Sequence, residues 1–385
     1  MKYLVFFLLV VSTNFYGIVL FNEIPWLNIN SGLAILLSFL MLFNKNSLGY
    51  FYKDIKDLVY WSFISVIIAS IIALVDWGQT FLLSFVASRG VLMGLIGLFL
   101  VKFRVSKRDV VWGLKWFSFV NIILVFVGAL DDGIRSILLS KNIEDPAFNG
   151  AQFLILYVYI HFEKTFKIAS IKNIVICVLF FTAIVLMASR SILFSFMIVM
   201  GVYFLIYLKI NYMLKVLLGV SLIFGTYYAV ADVFELLYSQ TISELSNNDY
   251  NRIKSFNCWV FEFNKNWYGN IFGNGFASLN SKYGELIKSL KTRGIFQSDM
   301  GFLGLWTIYG LPMVFILIKK TIKIVRLKNM PLYLRWTGCQ VLIGSLIYSY
   351  VTPEQIFYWV VFFYLFCLEK KEVLMVGNTV LNTEK

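Results

Sequence analysis

An all-helical protein that crosses a membrane many times is predicted, and three observations predict it. The 385 residues are 59% hydrophobic and only 14% charged. Apolar runs close to 20 residues long recur from one end of the chain to the other, the length a helix needs to cross a bilayer. Basic residues gather in alternate gaps between those runs. A soluble domain averages roughly 45–50% apolar and about 25% charged. At a mean hydropathy of +0.77, a soluble enzyme, a secreted disulfide scaffold and a disordered chain are all excluded.

Twelve spans are expected, at 3–21, 27–43, 58–75, 80–101, 110–130, 147–162, 174–189, 191–208, 212–231, 299–318, 336–351 and 355–368. The first opens with Lys2 and an apolar run, like a signal peptide. Asn14 and Tyr16 interrupt that run and no A-x-A-like site follows, so it reads as a retained span. With the N-terminus inside, 23 of the 34 basic residues fall in cytoplasmic segments, while 14 of the 21 acidic ones lie outside or at the outer face. An even number of spans with both termini cytoplasmic follows. The net charge of +13 then belongs to the inner loops, not to a nucleic-acid surface. The chain divides into nine spans over 1–231, a large outer loop at 232–298, three spans over 299–368 and a cytoplasmic tail at 369–385.

Cys177, Cys339 and Cys367 sit in apolar runs and only Cys258 lies in a polar stretch, so no disulfide framework is visible. The single histidine, His161, falls at the cytoplasmic end of its span beside Glu163 and Lys164, and reads as an interface residue. No metal-ligand spacing, P-loop, dinucleotide fingerprint or nucleophile elbow is present. No cofactor is expected.

The outer loop has amphipathic order of its own. Asn248-Asp249 is placed to cap a helix with Ile253, Phe256, Trp259, Val260 and Phe263 on one face. A turn-rich stretch with Gly269, Gly273 and Gly275 follows. A second helix with Leu286, Ile287 and Leu290 is expected to end near Gly294.

Four arginines stand where they are costly or exposed to the outer side. Arg89 lies about ten residues into its span, where an arginine costs roughly 2.5–3.5 kcal/mol. Arg190 interrupts a 35-residue apolar stretch between Asn173 and Lys209, so it marks the outer tip of a hairpin, with Ser189 or Ser191 able to cap the returning helix. Arg252 and Arg293 belong to the loop. Guanidinium is the natural bidentate partner of a diphosphate. Each arginine also has a plainer reading. Arg190 would anchor to headgroups, Arg89 would pair with Asp76 or Asp131, Arg252 would sit on a solvated face, and Arg293 would complement a helix dipole.

Asp299 opens a span directly after the loop, either as a helix cap or as a carboxylate taking a proton from a sugar hydroxyl. Glu262, Asp249 and Glu285 are further loop carboxylates. Trp259, Trp267 and Tyr268 are candidates to stack on sugars or to anchor in the membrane interface.

This layout resembles the Wzy-type oligosaccharide repeat-unit polymerases, the O-antigen and capsule polymerases related to O-antigen ligases. The residues that carry the resemblance are the Ser189-Arg190-Ser191 tip, Arg252 seven residues before Trp259, the Gly273-Asn274-Gly275 turn, and Asp299-Met300-Gly301 opening a span that contains Gly310. The resemblance implies a membrane-embedded glycosyltransferase of the GT-C type in the bacterial inner membrane. Its substrates would be oligosaccharides on undecaprenyl diphosphate in the outer leaflet, with a chain-length regulator as a further partner. Carried onto this chain, Arg190 and Arg252 would hold the diphosphate, supported by Arg89 and Arg293. Glu262, Trp259, Trp267 and Tyr268 would face sugar, and Asp299 would be the catalytic carboxylate. A ligase is expected to carry a histidine where this chain reads Gln297-Ser298-Asp299. A lipid-linked oligosaccharide flippase is the alternative from another class, although no halfwise repeat is visible.

Overall fold

The computed structural model describes residues 1–17, 25–47, 49, 52–130, 150–168, 171–186, 190–207, 251–297, 300–345 and 353–383. The expected span 212–231, Asn248, Asp249, Asp131, Ser189 and Asp299 lie outside the described residues. Arg190 and Arg252 are described by their helical backbone alone. No strand occurs among the described residues.

The first helices are α1 (Lys2–Ser12), α2 (Trp26–Leu42), α3 (Lys53–Trp77), α4 (Phe81–Ala87), α5 (Leu95–Lys102) and α6 (Lys107–Leu130). A 3-10 stretch, Arg89–Gly94, joins α4 to α5. Next come α7 (Ala151–Lys167), α8 (Ile171–Leu186) and α9 (Arg190–Tyr207). A segment of short helices follows, with α10 (Asn251–Asn257), α11 (Trp267–Phe272) and α12 (Lys282–Thr292). The last are α13 (Phe302–Tyr309), α14 (Leu311–Arg326), α15 (Leu332–Gly344) and α16 (Pro353–Thr383).

Two helices, Lys53–Trp77 and Lys107–Val127, are long and apolar enough to cross a membrane. The α4 pair, bent by 51° at its break, would be a third as a broken span. α1, Asn28–Leu42, Val175–Leu186 and Ile192–Tyr203 are shorter apolar helices. α3 shows how such a helix divides its surface. Ile55, Leu58, Val59, Val66, Ala69, Ile72 and Ala73 are buried at helical spacing, while Tyr60, Ile67, Ile71, Leu74 and Val75 are exposed. Both faces are apolar, one toward protein and one away from it, as expected of a helix at the rim of a membrane bundle.

Three expected spans are interrupted. The helix over 3–21 stops at Ser12, because Asn14, Phe15 and Tyr16 take positive φ, which β-carbon-bearing residues adopt only at a turn. The span 80–101 breaks at Ser88. The span 299–318 is two helices, α13 and α14, separated at Gly310 with φ +87°. Pro312 in the first turn of α14 has no N–H to continue the preceding helix.

The centre of the bundle is α16. Every residue from Phe357 to Cys367 is at most 2% exposed, and the helix packs against α1, α3, α5, α6, α7, α15 and the 3-10 stretch. A helix apolar on all sides can be covered on all sides. The Tyr364 hydroxyl reaches the carbonyls of Leu100 (3.0 Å) and Val105 (2.6 Å), tying α16 to the turn that follows α5.

Charge collects at one end of the bundle. Lys320 bridges Asp54 and Asp57, each at 2.9 Å. Lys107 meets Glu369 at 2.6 Å, Tyr333 donates to the same carboxylate at 2.8 Å, and the Tyr333 N–H donates to Glu163. His161, two residues before Glu163, is buried edge-on to Phe180.

Phe363→Ala empties a site inside this centre, and the variant should lose about 3–5 kcal/mol. Phe315→Ala, at a residue 63% exposed, should lose far less. Denaturant midpoints of both purified variants in detergent check this contrast.

Candidate functional site

The end of the bundle opposite that charge cluster carries the segment 251–297, seated on the end of α3. Trp77 is the grip. Its indole stacks on both Phe263 (4.7 Å) and Tyr283 (5.0 Å), and the Lys265 ammonium lies 4.2 Å from its centroid. Trp259, Phe263, Leu290 and Met300 close a small core around it. Burial raises the pKa of the Tyr283 phenol.

Gln79, 1% exposed, is a second clamp. Its amide nitrogen donates to the Phe276 carbonyl (2.9 Å), and its amide oxygen accepts from the Ser278 N–H (2.8 Å) and Ser281 hydroxyl (2.6 Å).

The Gly273-Asn274-Gly275 turn goes deepest. A β-carbon on Gly275 would meet the Ala69 carbonyl at 2.7 Å. Ala69 is eight residues before Trp77, so the turn reaches about 12 Å below the end of α3. Irregular backbone at such depth needs every polar group satisfied. The break at Gly310 provides the partners, because α13 ends with unpaired carbonyls. Asn274 N–H donates to Thr307 O at 2.8 Å and Gly275 N–H donates to Ile308 O at 3.0 Å. The Asn274 side chain bonds Trp77 (3.2 Å), Thr307 O (3.3 Å) and Asn264, and Asn264 donates to Asn270. Trp306 donates to the Asn270 carbonyl.

Asp76, at the end of α3, holds the surface of the same segment. Its Oδ1 accepts from Asn266 and from the Tyr268 hydroxyl, both at 2.7 Å. That bond raises the pKa of Tyr268. The Asp76 carboxylate is therefore committed to the loop, and Arg89 has no ion pair among the described residues. Instead, the Arg89 Nη1 donates to the Val86 carbonyl at 2.8 Å, capping α4 where a cation suits the helix dipole.

The expected site residues separate into groups. Trp267 is 70% exposed and Tyr268 lies beside it at the surface, while Glu262 is exposed. Trp259 is 1% exposed, which corrects its expected role, since no sugar can stack on it. The expected face of α10 is corrected as well. A π turn at Cys258–Glu262, closed by Phe263 N–H to Cys258 O at 2.7 Å, adds a residue to one turn and rotates the helix face. Trp259 and Phe263 go inward, while Ile253 and Phe256 are 59% and 39% exposed. Arg293 follows the last turn of α12 and is exposed. Burial and Glu262 raise the nearby Cys258 pKa, and Arg293 opposes them.

The arginine-bearing segments nevertheless meet around α13 and α15. Ser255, one turn after Arg252, accepts from the Phe296 N–H at 3.0 Å, three residues after Arg293. Gln297 donates to Thr307 of α13 at 2.6 Å. Phe302, three residues after Asp299, donates its N–H to Ser345 O at the end of α15 (2.7 Å). Gln340 of α15 donates to Ser195 (2.5 Å) and Ile192 O (3.4 Å) in the helix that Arg190 opens. Ser88, next to Arg89, lies beside Tyr309 of α13. Trp77 and Gln79 were not among the expected residues, and Asp76 and Asn274 were expected only as an arginine partner and as part of a turn, although the Asp76-Trp77-Gly78-Gln79 run at the end of a long apolar helix is a signal.

No family model matches this chain, and no curated protein does either.

The turn tolerates no side chain at its crossing point. A β-carbon on Gly310 would lie 2.5 Å from the Phe272 carbonyl carbon, at a φ that strains any other residue. Gly310→Ala should expel the turn and raise trypsin cleavage at Lys265 and Lys282 at least about tenfold. Gly201→Ala, with nothing within 4 Å, should cleave like the parent in the same digestion time course.

Proposed function

We propose that the protein is a membrane-embedded glycosyltransferase that polymerises lipid-linked oligosaccharide repeat units for O-antigen or capsule. In this reading the chain has twelve spans in the bacterial inner membrane, both termini cytoplasmic, and a GT-C type of fold. The segment 251–297 then faces the outer side. The observation that carries the reading is the gathering of four arginine-bearing segments on α13 and α15, next to the seated loop.

The chemistry asks little of the protein. The bond between the sugar anomeric carbon and the carrier diphosphate breaks. A new bond forms from that carbon to a hydroxyl at the non-reducing end of another repeat unit. The hydroxyl proton goes to a carboxylate, assigned to Asp299, and undecaprenyl diphosphate leaves. Guanidinium groups stabilise charge on the leaving diphosphate as it develops, with Arg190 and Arg252 nearest to that task and Arg293 supporting. Arg89, through its bond to Val86, stiffens the break beside α13 and retains further N–H donors. Trp267 and Tyr268 form an exposed aromatic edge suited to an acceptor sugar.

The two broken helices favour a second reading, a flippase for the same lipid-linked substrate, because discontinuous helices commonly line transport paths. The surface polysaccharide of a deletion strain separates the two. A polymerase deletion retains one repeat unit and loses the ladder, whereas a flippase deletion loses every repeat unit.

Arg190→Lys keeps the charge and loses the planar fork, so it should remove most chain extension at normal membrane abundance. Arg190→Ala should leave single repeat units only. A normal ladder from Arg190→Ala, on gels of complemented deletion strains, would remove the mechanism's principal residue.

A further inference from the structure

A buried polar chain crosses from α7 through α15 to α9. The Tyr159 hydroxyl donates to Gln340 Oε1 at 2.7 Å. Gln340 Nε2 donates to Ser195 Oγ at 2.5 Å and reaches Ile192 O at 3.4 Å. Ser195 Oγ in turn donates to Ile192 O at 3.1 Å. Tyr159, Ser195 and Gln340 are 0%, 1% and 6% exposed. The surrounding contacts are aromatic, with Tyr159 stacked on Phe196 (5.4 Å) and Trp336 against Tyr203 (5.3 Å).

Aromatic and aliphatic surfaces hold helices side by side but permit one to slide along the other. A directional bond to a main-chain carbonyl does not. Single buried polar residues fix register between packed helices at some cost in stability. Here both bonds that Gln340 donates end on the first two turns of α9, and Ile192 is two residues after Arg190. The same α15 accepts the Phe302 N–H through Ser345, so one helix sets the heights of both the start of α9 and the start of α13.

We infer that Gln340, oriented by Tyr159, is a positioning residue that fixes the axial height of Arg190 relative to the start of α13. The inference rests on the polymerase reading for its catalytic consequence and on the hydrogen-bond chain for its structural one. Gln340 touches no substrate; it acts through the helix that Arg190 opens.

The test uses full-length protein in membranes of the complemented deletion strain, at matched abundance. Gln340→Met keeps the volume and Tyr159→Phe removes one hydroxyl, so both preserve packing. Each is expected to cut polymer longer than one repeat unit at least about fivefold. A second readout follows position directly. Arg190→Cys is labelled from outside with a membrane-impermeant maleimide, over the labelling of the parent chain, with and without Gln340→Met. Labelling at 190 should change at least about threefold, while Trp267→Cys labels as before. A normal ladder from both packing-preserving variants overturns the inference, as does unchanged labelling at 190. If labelling shifts but Arg190→Ala polymerises normally, the polymerase mechanism fails and the catalytic role of Gln340 fails with it.

Discussion

Two carbonyls organise this end of the molecule. α13 stops at Gly310, and the oxygens of Thr307 and Ile308 are left without helical partners. They are taken by the N–H groups of Asn274 and Gly275, in a turn that has no hydrogen-bonding structure of its own. An unpaired amide or carbonyl away from water costs several kcal/mol, so neither the break nor the turn is tolerable alone. Together they are complete. The clamps by Gln79 and Asn274, the stacking of Trp77 and the bond from Gln297 to Thr307 all presuppose that the turn is seated.

The rest of the bundle is governed by which apolar surfaces meet protein. α16 is enclosed, α3 is half enclosed, and buried side chains such as Tyr159 and Tyr364 bond from one helix to the next. Charge stays at the far end, where Lys320 and Lys107 neutralise the carboxylates of α3 and α16. At the loop end, the Asp76 carboxylate bonds to uncharged donors. The arginine-bearing segments share that end with Glu262, whose charge reaches Cys258 as that of Arg293 does.

Much of this was legible in the amino acids, and the remainder was hidden for physical reasons. The lengths of α3 and α6 follow from uninterrupted apolar runs, and α12 ends where Gly294 permits a positive φ. Hydropathy cannot distinguish a helix that faces lipid from one that faces protein, so nothing in 355–368 marked it as the centre that it is. Breaks at Ser88 and Gly310 lie inside continuous apolar runs. Only their tertiary partners, Tyr309 for one and the glycine turn for the other, make them stable. The π turn shifted the face of α10 by a single residue, a change no period reveals in advance. Asp76 looked like a partner for Arg89 because charge complementarity is visible in a sequence, whereas Tyr268 and Asn266, some 190 positions away, are not.

The enclosure of α16 has a consequence for biogenesis. The helix around which the others pack is the last of the described helices to leave the ribosome. Until residues 357–367 have been made, the helices that precede them surround an empty axis. Until then the faces of those helices that α16 will cover have no protein partner from it. Compaction around α16 therefore follows the synthesis of the other described helices.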